Sequence, residues 1–238
     1  MLKKIAKKII PKKFQEKIYK TLTKPFENFA SEFYSQEGED AILARFFDSS
    51  YKGFFVDIGA HHPKRFSNTY HFYKKGWRGI NIDAMPGSMK LFNKLRPRDI
   101  NLEVAVSDKS QKLTYYAFKE SALNGFSEEL SLLRNKKQNC ELLFKKDLKT
   151  VALAKVLDQN LPKGQKIDFM TVDVEGLDLE VLKSNNWKKY SPDYILIEIL
   201  NSNLADVGKS EVYKFLQPLG YVAVAKTRDT ALFQRKIS

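Results

Sequence analysis

Cysteine is almost missing from this 238-residue chain, which contains one cysteine and three histidines. A single cysteine, Cys140, excludes a framework of disulfide bonds within the chain. It also excludes the usual structural zinc sites, because the three histidines do not combine with it in any standard ligand spacing. The fold is therefore not expected to depend on disulfides or on a structural zinc ion.

Long hydrophobic runs are missing as well. No segment of 18 apolar residues occurs, so the sequence predicts no membrane-spanning helix. The lysine-rich N-terminus lacks the uninterrupted apolar core of a cleaved signal peptide, and we expect a cytoplasmic protein. With 43% hydrophobic residues, the length suits one α/β domain with a full core and not two large domains.

Acidic residues are rare in the first 24 residues, which contain nine lysines, no arginine and one acid, Glu16. This segment has a net charge of +8 and leaves only +5 of the total of +13 for the rest of the chain. Its apolar residues, at positions 2, 5 and 9 and again at 14, 18 and 22, have helical spacing. We interpret residues 1–30 as a basic amphipathic arm, and the pattern favours an anionic membrane surface at the inner membrane face. Packing against the domain and disorder are the alternatives.

Glycine is sparse where a dinucleotide-binding protein would need it. An apolar run ends at Asp57, and a second run, Gly79-Ile-Asn-Ile-Asp83, ends in an acid 26 residues later. Two parallel strands that each deliver a carboxylate are typical of a nucleoside site. The loop after Asp57 reads Ile-Gly-Ala-His-His-Pro and lacks the Gly-x-Gly-x-x-Gly of a diphosphate binder. This favours S-adenosylmethionine over NAD.

Strand-like apolar runs alternate with helical patterns along the chain, which predicts an α/β fold with a parallel sheet. Residues 31–238 form the predicted domain. Residues 107–166 interrupt the alternation, and an insertion of this length on the cofactor side is expected to contact substrate. The predicted strands are 53–58, 79–83, 101–106, 167–173 and 194–199, followed by a hairpin of 221–225 and 231–235.

Four segments together carry a family resemblance. They are Ser35-Gln36 with Gly38 and Asp40, residues 55–61 with 67–70, residues 76–83, and residues 167–182 with the run Asp173-Val-Glu-Gly-Leu-Asp-Leu-Glu180. In this order they resemble the FkbM-type methyltransferase family over roughly residues 33–235. The resemblance implies a Rossmann-like seven-stranded methyltransferase sheet with helices on both faces. It also implies S-adenosylmethionine as donor and O-methylation, often of sugar hydroxyls.

The candidate cofactor residues follow the first three strands. We expect Asp57 to lie near the methionine ammonium group, with a helix-capping acid as the alternative. Gly59 is expected to allow close approach of the cofactor, or to be a plain turn glycine. Asp83 is expected to accept ribose hydroxyls, with a salt bridge to a lysine as the alternative. The remaining candidates beside these motifs are Ala60, Ser67, Asn68, Ala84, Ala105, Val106 and Ser107.

The candidate catalytic residues are acids and histidines, because an alcohol needs a base or a metal before it attacks a methyl group. Asp173 and Glu175 follow the fourth strand, and Glu198 ends the fifth. His61 and His62 stand beside the first motif. We predict that these groups form a general base with orienting acids or, speculatively, a divalent metal site of Asp173, Glu175 and Glu198. The alternative is that Glu175 only orders its loop.

The leading hypothesis is an S-adenosylmethionine-dependent O-methyltransferase that acts on a carbohydrate or glycolipid, such as a surface polysaccharide precursor. An RNA methyltransferase that binds phosphates through the arm is a second hypothesis. The absence of arginine and the mostly aliphatic apolar positions of the arm make nucleic acid the weaker partner. A non-catalytic binding module is the third, and the acids at 57, 83 and 173 argue against it.

Overall fold

The computed structural model describes residue 14 and residues 31–135, 140–200 and 202–236. The chain divides into two compact units, Met1–Phe33 and Tyr34–Ser238, and every element below belongs to the second. Apart from Phe14, the predicted basic arm of residues 1–30 lies outside the described residues. Among the helices in the described ranges, none is long and apolar enough to cross a membrane.

A seven-stranded sheet forms the centre of the domain, in the order β3-β2-β1-β7-β8-β10-β9. Neighbours from β3 to β8 are parallel, and β10 runs antiparallel to both β8 and β9. This confirms the predicted α/β sheet and the C-terminal hairpin. The strands are β1 Phe54–Ile58, β2 Arg78–Asp83, β3 Ile100–Glu103, β4 Ala105–Val106, β5 Lys112–Phe118, β6 Leu142–Val151, β7 Phe169–Val172, β8 Tyr194–Glu198, β9 Tyr221–Lys226 and β10 Thr230–Arg235.

Helices cover both faces of this sheet, as predicted. Phe55 of β1 packs in one apolar cluster with Leu43 of the first helix and Phe72 of the second. Val56, the next strand residue, packs on the other face with the fifth, sixth and seventh helices. The helices are α1 Glu39–Leu43, α2 Tyr70–Lys74, α3 Met89–Leu95, α4 Glu128–Asn135, α5 Leu153–Asn160, α6 Asp178–Lys183 and α7 Glu211–Leu216, with short 3-10 turns at Ala44–Phe46, Ser121–Leu123, Val207–Lys209 and Gln217–Leu219.

The two central strands β1 and β7 are buried along their whole length. Such strands must be apolar because both faces are covered by helices, which explains the continuous apolar runs in the sequence. Parallel strands place their carboxyl ends at one edge of the sheet. Asp57, Asp83, Asp173 and Glu198 therefore lie at the same edge although they are far apart in the chain.

The third predicted strand, 101–106, is wrong as a single element. The backbone N–H of Val104 donates to the backbone carbonyl of Asp83 at 3.0 Å, and this is the last hydrogen bond to β2. The chain then leaves the main sheet. Ala105 and Val106 pair instead with β6, in a second sheet of order β4-β6-β5. Strand β6 carries three exposed lysines and shows no apolar alternation, so its pairing was not predicted.

Candidate active site

A cavity of about 360 Å³ opens at the carboxyl edge of the main sheet. Its floor is built by the residues that follow β1, β2 and β7 and by the last residue of β8. Residues 120–126 of the predicted insertion form one wall. Part of another wall is formed by Gln36, Glu37, Glu39 and the turn at 229–230.

Asp83 binds backbone groups of two loops at once. Its Oδ1 accepts from the N–H of Met85 at 2.7 Å, and its Oδ2 accepts from the N–H of His61 at 2.9 Å. Burial raises the pKa of Asp83, and these N–H donors oppose the rise. Each carboxylate oxygen has a second lone pair. Asp83 lines the cavity and can therefore still accept hydroxyl groups there.

Asp57 lies at the cavity wall and is almost completely buried. Its Oδ2 accepts from the hydroxyl of Thr69 at 2.7 Å. Burial raises the pKa of Asp57 to about 6, while Thr69 and Arg96 act in the opposite direction. Thr69 directly precedes helix α2, and Asp57 accepts from its side chain and not from a backbone N–H of the helix.

Gly59 allows the loop after β1 to lie close to the backbone at Asp173. It has φ 85°, a left-handed conformation, and a Cβ added there would lie 1.7 Å from the carbonyl oxygen of Asp173. The N–H groups of Gly59 and Ala60 both donate to the carbonyl of Ile82, at 2.9 and 3.0 Å. Gly59 therefore joins the loop after β1 to the ends of β2 and β7, and it also lines the cavity.

The two candidate histidines differ in position. His61 lines the cavity with φ 52°, and its Nε2 is buried without a hydrogen-bond partner among the described residues. Burial lowers the pKa of His61 to about 4, so its ring is neutral near pH 7. His62 is not part of the cavity wall: its Nδ1 accepts from the N–H groups of Lys64 and Arg65, at 3.0 and 2.9 Å.

Three further carboxylates, besides those of Asp57 and Asp83, lie close together at this edge of the sheet. Oxygen atoms of Asp173, Glu175 and Glu198 all lie within 4.8 Å of one another. Asp173 is reached by solvent through the cavity although protein surrounds it closely. Burial and repulsion by Glu198 and Glu175 raise the pKa of Asp173 well above its usual range.

The loop that carries this cluster is ordered by another acid. Asp178 accepts from the N–H groups of Val174 and Gly176, at 3.0 and 3.2 Å. Glu175 itself has φ 56°, a conformation that is uncommon outside glycine and is often found at functional sites. Asp178 therefore orders this loop, and Glu175 lines the cavity.

A family model described as a methyltransferase FkbM domain matches residues 57–223, more than half of the chain. The chain belongs to the FkbM methyltransferase family. This family is one of S-adenosylmethionine-dependent methyltransferases. No curated protein matches its sequence.

Solved structures include three methyltransferase-fold proteins similar to this FkbM-family chain. The methyltransferase FkbM from Methylobacillus flagellatus is 12% identical over 79% of this chain and 44% of its own, with TM-score 0.44. Precorrin-6y C5,15-methyltransferase from Geobacter metallireducens is 14% identical over 84% and 87%, with TM-score 0.44. Fibrillarin from Aeropyrum pernix, bound to S-adenosyl-L-methionine, is 13% identical over 82% and 72%, with TM-score 0.43. This chain thus spans less than half of the length of the M. flagellatus protein.

The residues of this FkbM-family cavity fit S-adenosylmethionine. Asp57 is a buried carboxylate at the cavity wall, and Arg96, the cation that lowers its pKa, already pairs with Asp99. A buried carboxylate without a full counter-charge favours a cationic ligand group, such as an α-ammonium. Asp83 has oxygen lone pairs left for ribose hydroxyls. The cofactor supplies an electrophilic methyl group when it is bound.

The other candidate cofactor residues divide into two groups. Ala60, Ser67, Asn68, Ala84 and Val106 line the cavity, whereas Ala105 and Ser107 are buried outside its wall. The Ser67 hydroxyl also accepts from the N–H of Tyr70 at 3.1 Å and so caps α2. The side-chain amide of Asn68 donates to Thr171 at 3.0 Å and fixes the loop on β7.

Sequence reasoning missed most of the insertion's contribution. Arg65 donates two bonds to Glu120, at 2.8 and 2.9 Å, and closes one side of the cavity. This pairing lowers the pKa of Glu120 to about 2. Gly125 approaches the loop after β7 so closely that an added Cβ would lie 2.9 Å from the Cβ of Glu175. The Asn-Gly pair at 124–125 is typical of a turn, but it does not predict which loop the turn contacts.

Proposed function

We propose that this FkbM-family protein transfers the methyl group of S-adenosylmethionine to a hydroxyl of a carbohydrate or glycolipid, for example a surface polysaccharide precursor. One observation carries the proposal: a single cavity joins two nucleoside-type carboxylates, Asp57 and Asp83, to the carboxylate cluster of Asp173, Glu175 and Glu198. The pair of carboxylates suits binding of the methyl donor. The cluster of three suits the activation of an acceptor hydroxyl.

The half of the cavity beyond β7 supports a hydroxyl-rich acceptor. Side chains of Gln36, Glu37, Glu39 and Thr230 line it beside Glu198. Glu37 accepts from the N–H of Asp229 at 2.9 Å, and hydrogen bonds from this turn lower its pKa. Carboxylate and amide oxygens accept hydrogen bonds from sugar hydroxyls.

Asp173 is our candidate for the general base. Its raised pKa means that its carboxylate takes up a proton more readily than an ordinary aspartate does. The proton of the acceptor hydroxyl would move to Asp173 as the oxygen attacks the methyl carbon. Because the base must be ionised, activity should fall as the pH decreases through this raised pKa.

A divalent metal is the other proposal for the same cluster. Three carboxylates with oxygen atoms within 4.8 Å match the hard oxygen ligands that Mg²⁺ and Mn²⁺ prefer. The same three residues would hold the ion and lower the pKa of a nearby hydroxyl. Sensitivity to a chelator distinguishes the two proposals.

The proposed function is tested with methyl-labelled S-adenosylmethionine and three acceptor classes: neutral oligosaccharides, glycolipids and RNA. We expect label in a carbohydrate or glycolipid fraction. The protein without the Asp173 carboxylate serves as the blank. Labelling of RNA alone would contradict the carbohydrate proposal, and binding of donor without transfer to any acceptor would favour the non-catalytic module.

Asp83→Ala is expected to weaken binding of S-adenosylhomocysteine at least about tenfold, because hydroxyl bonds to a charged acceptor contribute about 1.5–3 kcal/mol each. Titration calorimetry measures the affinity. Since Asp83 also orders two loops, the 2′-deoxyribose analogue of the ligand is the control. That analogue should bind wild type more weakly than the parent does, and the difference should vanish in Asp83→Ala. If Asp83→Ala lowered the affinity for both ligands equally, Asp83 would not be the residue that binds the ribose hydroxyl.

The basic arm is a separate proposal. We expect residues 1–24 to drive salt-sensitive association with anionic vesicles, at about 1 kcal/mol for each engaged lysine. Sedimentation with phosphatidylserine vesicles compares the full chain with a protein that starts at Lys24. Binding of S-adenosylhomocysteine should be equal in the two. If both proteins sediment equally, the arm has another purpose.

A further inference from the structure

Arg96 is a charged side chain in the core, directly after helix α3. It is fully buried, and its guanidinium carbon lies 5.2 Å from the ring centres of Phe55 and Tyr73 and 5.6 Å from that of Phe92. Its Nε donates to Oδ2 of Asp99 at 2.8 Å, and its Nη2 lies 2.8 Å from the same oxygen. Asp99 thus supplies the pairing that a buried charge requires.

Arg96 reaches the cofactor side of the sheet through two hydroxyl groups, and the bond to Thr69 is the shorter; the bond from its Nη1 to Oγ of Ser67 is 3.4 Å long. Its Nη1 donates to Oγ1 of Thr69 at 2.9 Å. The same hydroxyl donates to Oδ2 of Asp57 at 2.7 Å. Thr69 and Arg96 have no exposed surface, whereas Asp57 lines the cavity. The bonds therefore lead from a buried cation to the candidate ligand of the cofactor ammonium.

The chemistry of arginine determines which group donates in each hydrogen bond of this Arg96–Thr69–Asp57 relay. A guanidinium group only donates hydrogen bonds and keeps its charge in proteins. The Thr69 oxygen must therefore accept from Arg96, and its single proton is left for Asp57. An ionised Asp57 accepts this bond more strongly than the neutral acid does, because the accepting oxygen then carries charge. The arrangement favours an ionised Asp57 at its present position.

We infer that Arg96, acting through Thr69, holds Asp57 ionised and oriented to bind the α-ammonium group of the methyl donor. Arg96 and Thr69 are then positioning residues, and neither touches the ligand. This inference rests on the proposed function, because it requires S-adenosylmethionine in the cavity.

The charges around Asp57 show why such support is needed. Asp83 at the end of β2 and Asp99 before β3 repel the ionised form of Asp57, and Asp173 after β7 also repels it. Burial adds the largest unfavourable contribution. Arg96 and the Thr69 hydroxyl are the opposing contributions among the described residues. Together these effects leave the pKa of Asp57 raised to about 6.

The experiment measures affinity as a function of pH for two ligands. S-adenosylhomocysteine carries the α-ammonium, and 5′-methylthioadenosine shares its nucleoside and sulfur but lacks that group. In wild type, the ratio of the two affinities should fall as the pH drops through about 6. This comparison needs no variant and cancels the titration of Asp83. Equal pH profiles for the two ligands would overturn the inference.

Thr69→Val replaces the hydroxyl that links Arg96 to Asp57 by a methyl group, and the side chain keeps nearly the same shape. Loss of a donor to a charged group should move the midpoint of the affinity ratio upward by about one pH unit. S-adenosylhomocysteine should then bind about twofold more weakly near pH 7 and about tenfold more weakly near pH 5, where Asp57 is mostly protonated in both proteins. Affinity should recover at high pH, which a merely structural defect would not produce. Thr69→Ser should behave like wild type. Thr150→Val, a buried hydroxyl loss in β6, controls for general destabilisation.

Arg96 is tested together with its partner, because removing one member of a buried pair leaves an uncompensated charge. The double variant Arg96→Gln, Asp99→Asn should shift the midpoint in the same direction, and adding Thr69→Val should shift it little further. Additive shifts, or no shift at all, would refute a relay through Thr69. If wild type bound neither ligand, the proposed function itself would fail instead.

Discussion

Asp173→Asn and Glu175→Gln should each lower turnover by at least about 100-fold, the usual scale for a lost acid–base or metal contribution. Both changes keep side-chain size, and both positions face the cavity, so the fold and most of the cofactor affinity should persist. Asp173 should show the larger effect if it is the base, because its pKa is the one raised well above the usual range.

Methyl transfer to the acceptor, with and without a chelator, is the measurement. Asp147→Asn, which changes an exposed acid of β6 bonded to Thr114, is the matched control and should leave turnover unchanged. Loss of activity with chelator and recovery with added Mg²⁺ or Mn²⁺ would identify the metal version of the site. Near-normal rates in both variants would place the catalytic centre elsewhere, and His61, the histidine that lines the cavity, would become the first candidate.

Gly59→Ala should destabilise the protein by at least about 3 kcal/mol, since it adds a left-handed alanine and a severe overlap. The new Cβ would lie 1.7 Å from the carbonyl oxygen of Asp173, a backbone atom that cannot move without separating β1 from β7. Chemical denaturation monitored by circular dichroism gives the change in free energy of unfolding. Any folded fraction should bind S-adenosylhomocysteine poorly, because the same loop lines the cavity.

Gly87→Ala is the control that distinguishes backbone strain at positive φ from the steric overlap with Asp173. Gly87 has φ 84°, close to the 85° of Gly59, but an added Cβ there would meet nothing within 4 Å. It should therefore cost only the conformational part, about 1–2 kcal/mol. Equal destabilisation by the two substitutions would mean that the close approach to Asp173 does not matter.

Sequence patterns alone determined the part of this protein that burial controls. The runs ending at Asp57, Asp83 and Asp173 had to be apolar because helices cover both faces of their strands, and such runs are readable without a structure. The antiparallel pairing of the C-terminal strands, β9 and β10, followed from two strand patterns and a short turn, which are local signals. Acids at the ends of parallel strands then located the cavity edge.

Tertiary structure alone decided the contacts between distant segments. The strand that pairs with Ala105 and Val106 is β6, whose charged sequence has no apolar alternation, so nothing local identifies it. Gly59 meets Asp173, 114 positions away, and its need for glycine comes from that contact and not from its own turn alone. Arg96 reads as one more basic residue among 41, yet it is enclosed by aromatic rings and linked to Asp57 through Thr69. Burial and hydrogen-bond partners of this kind depend on which strands become neighbours, and that is settled only when the whole sheet has formed.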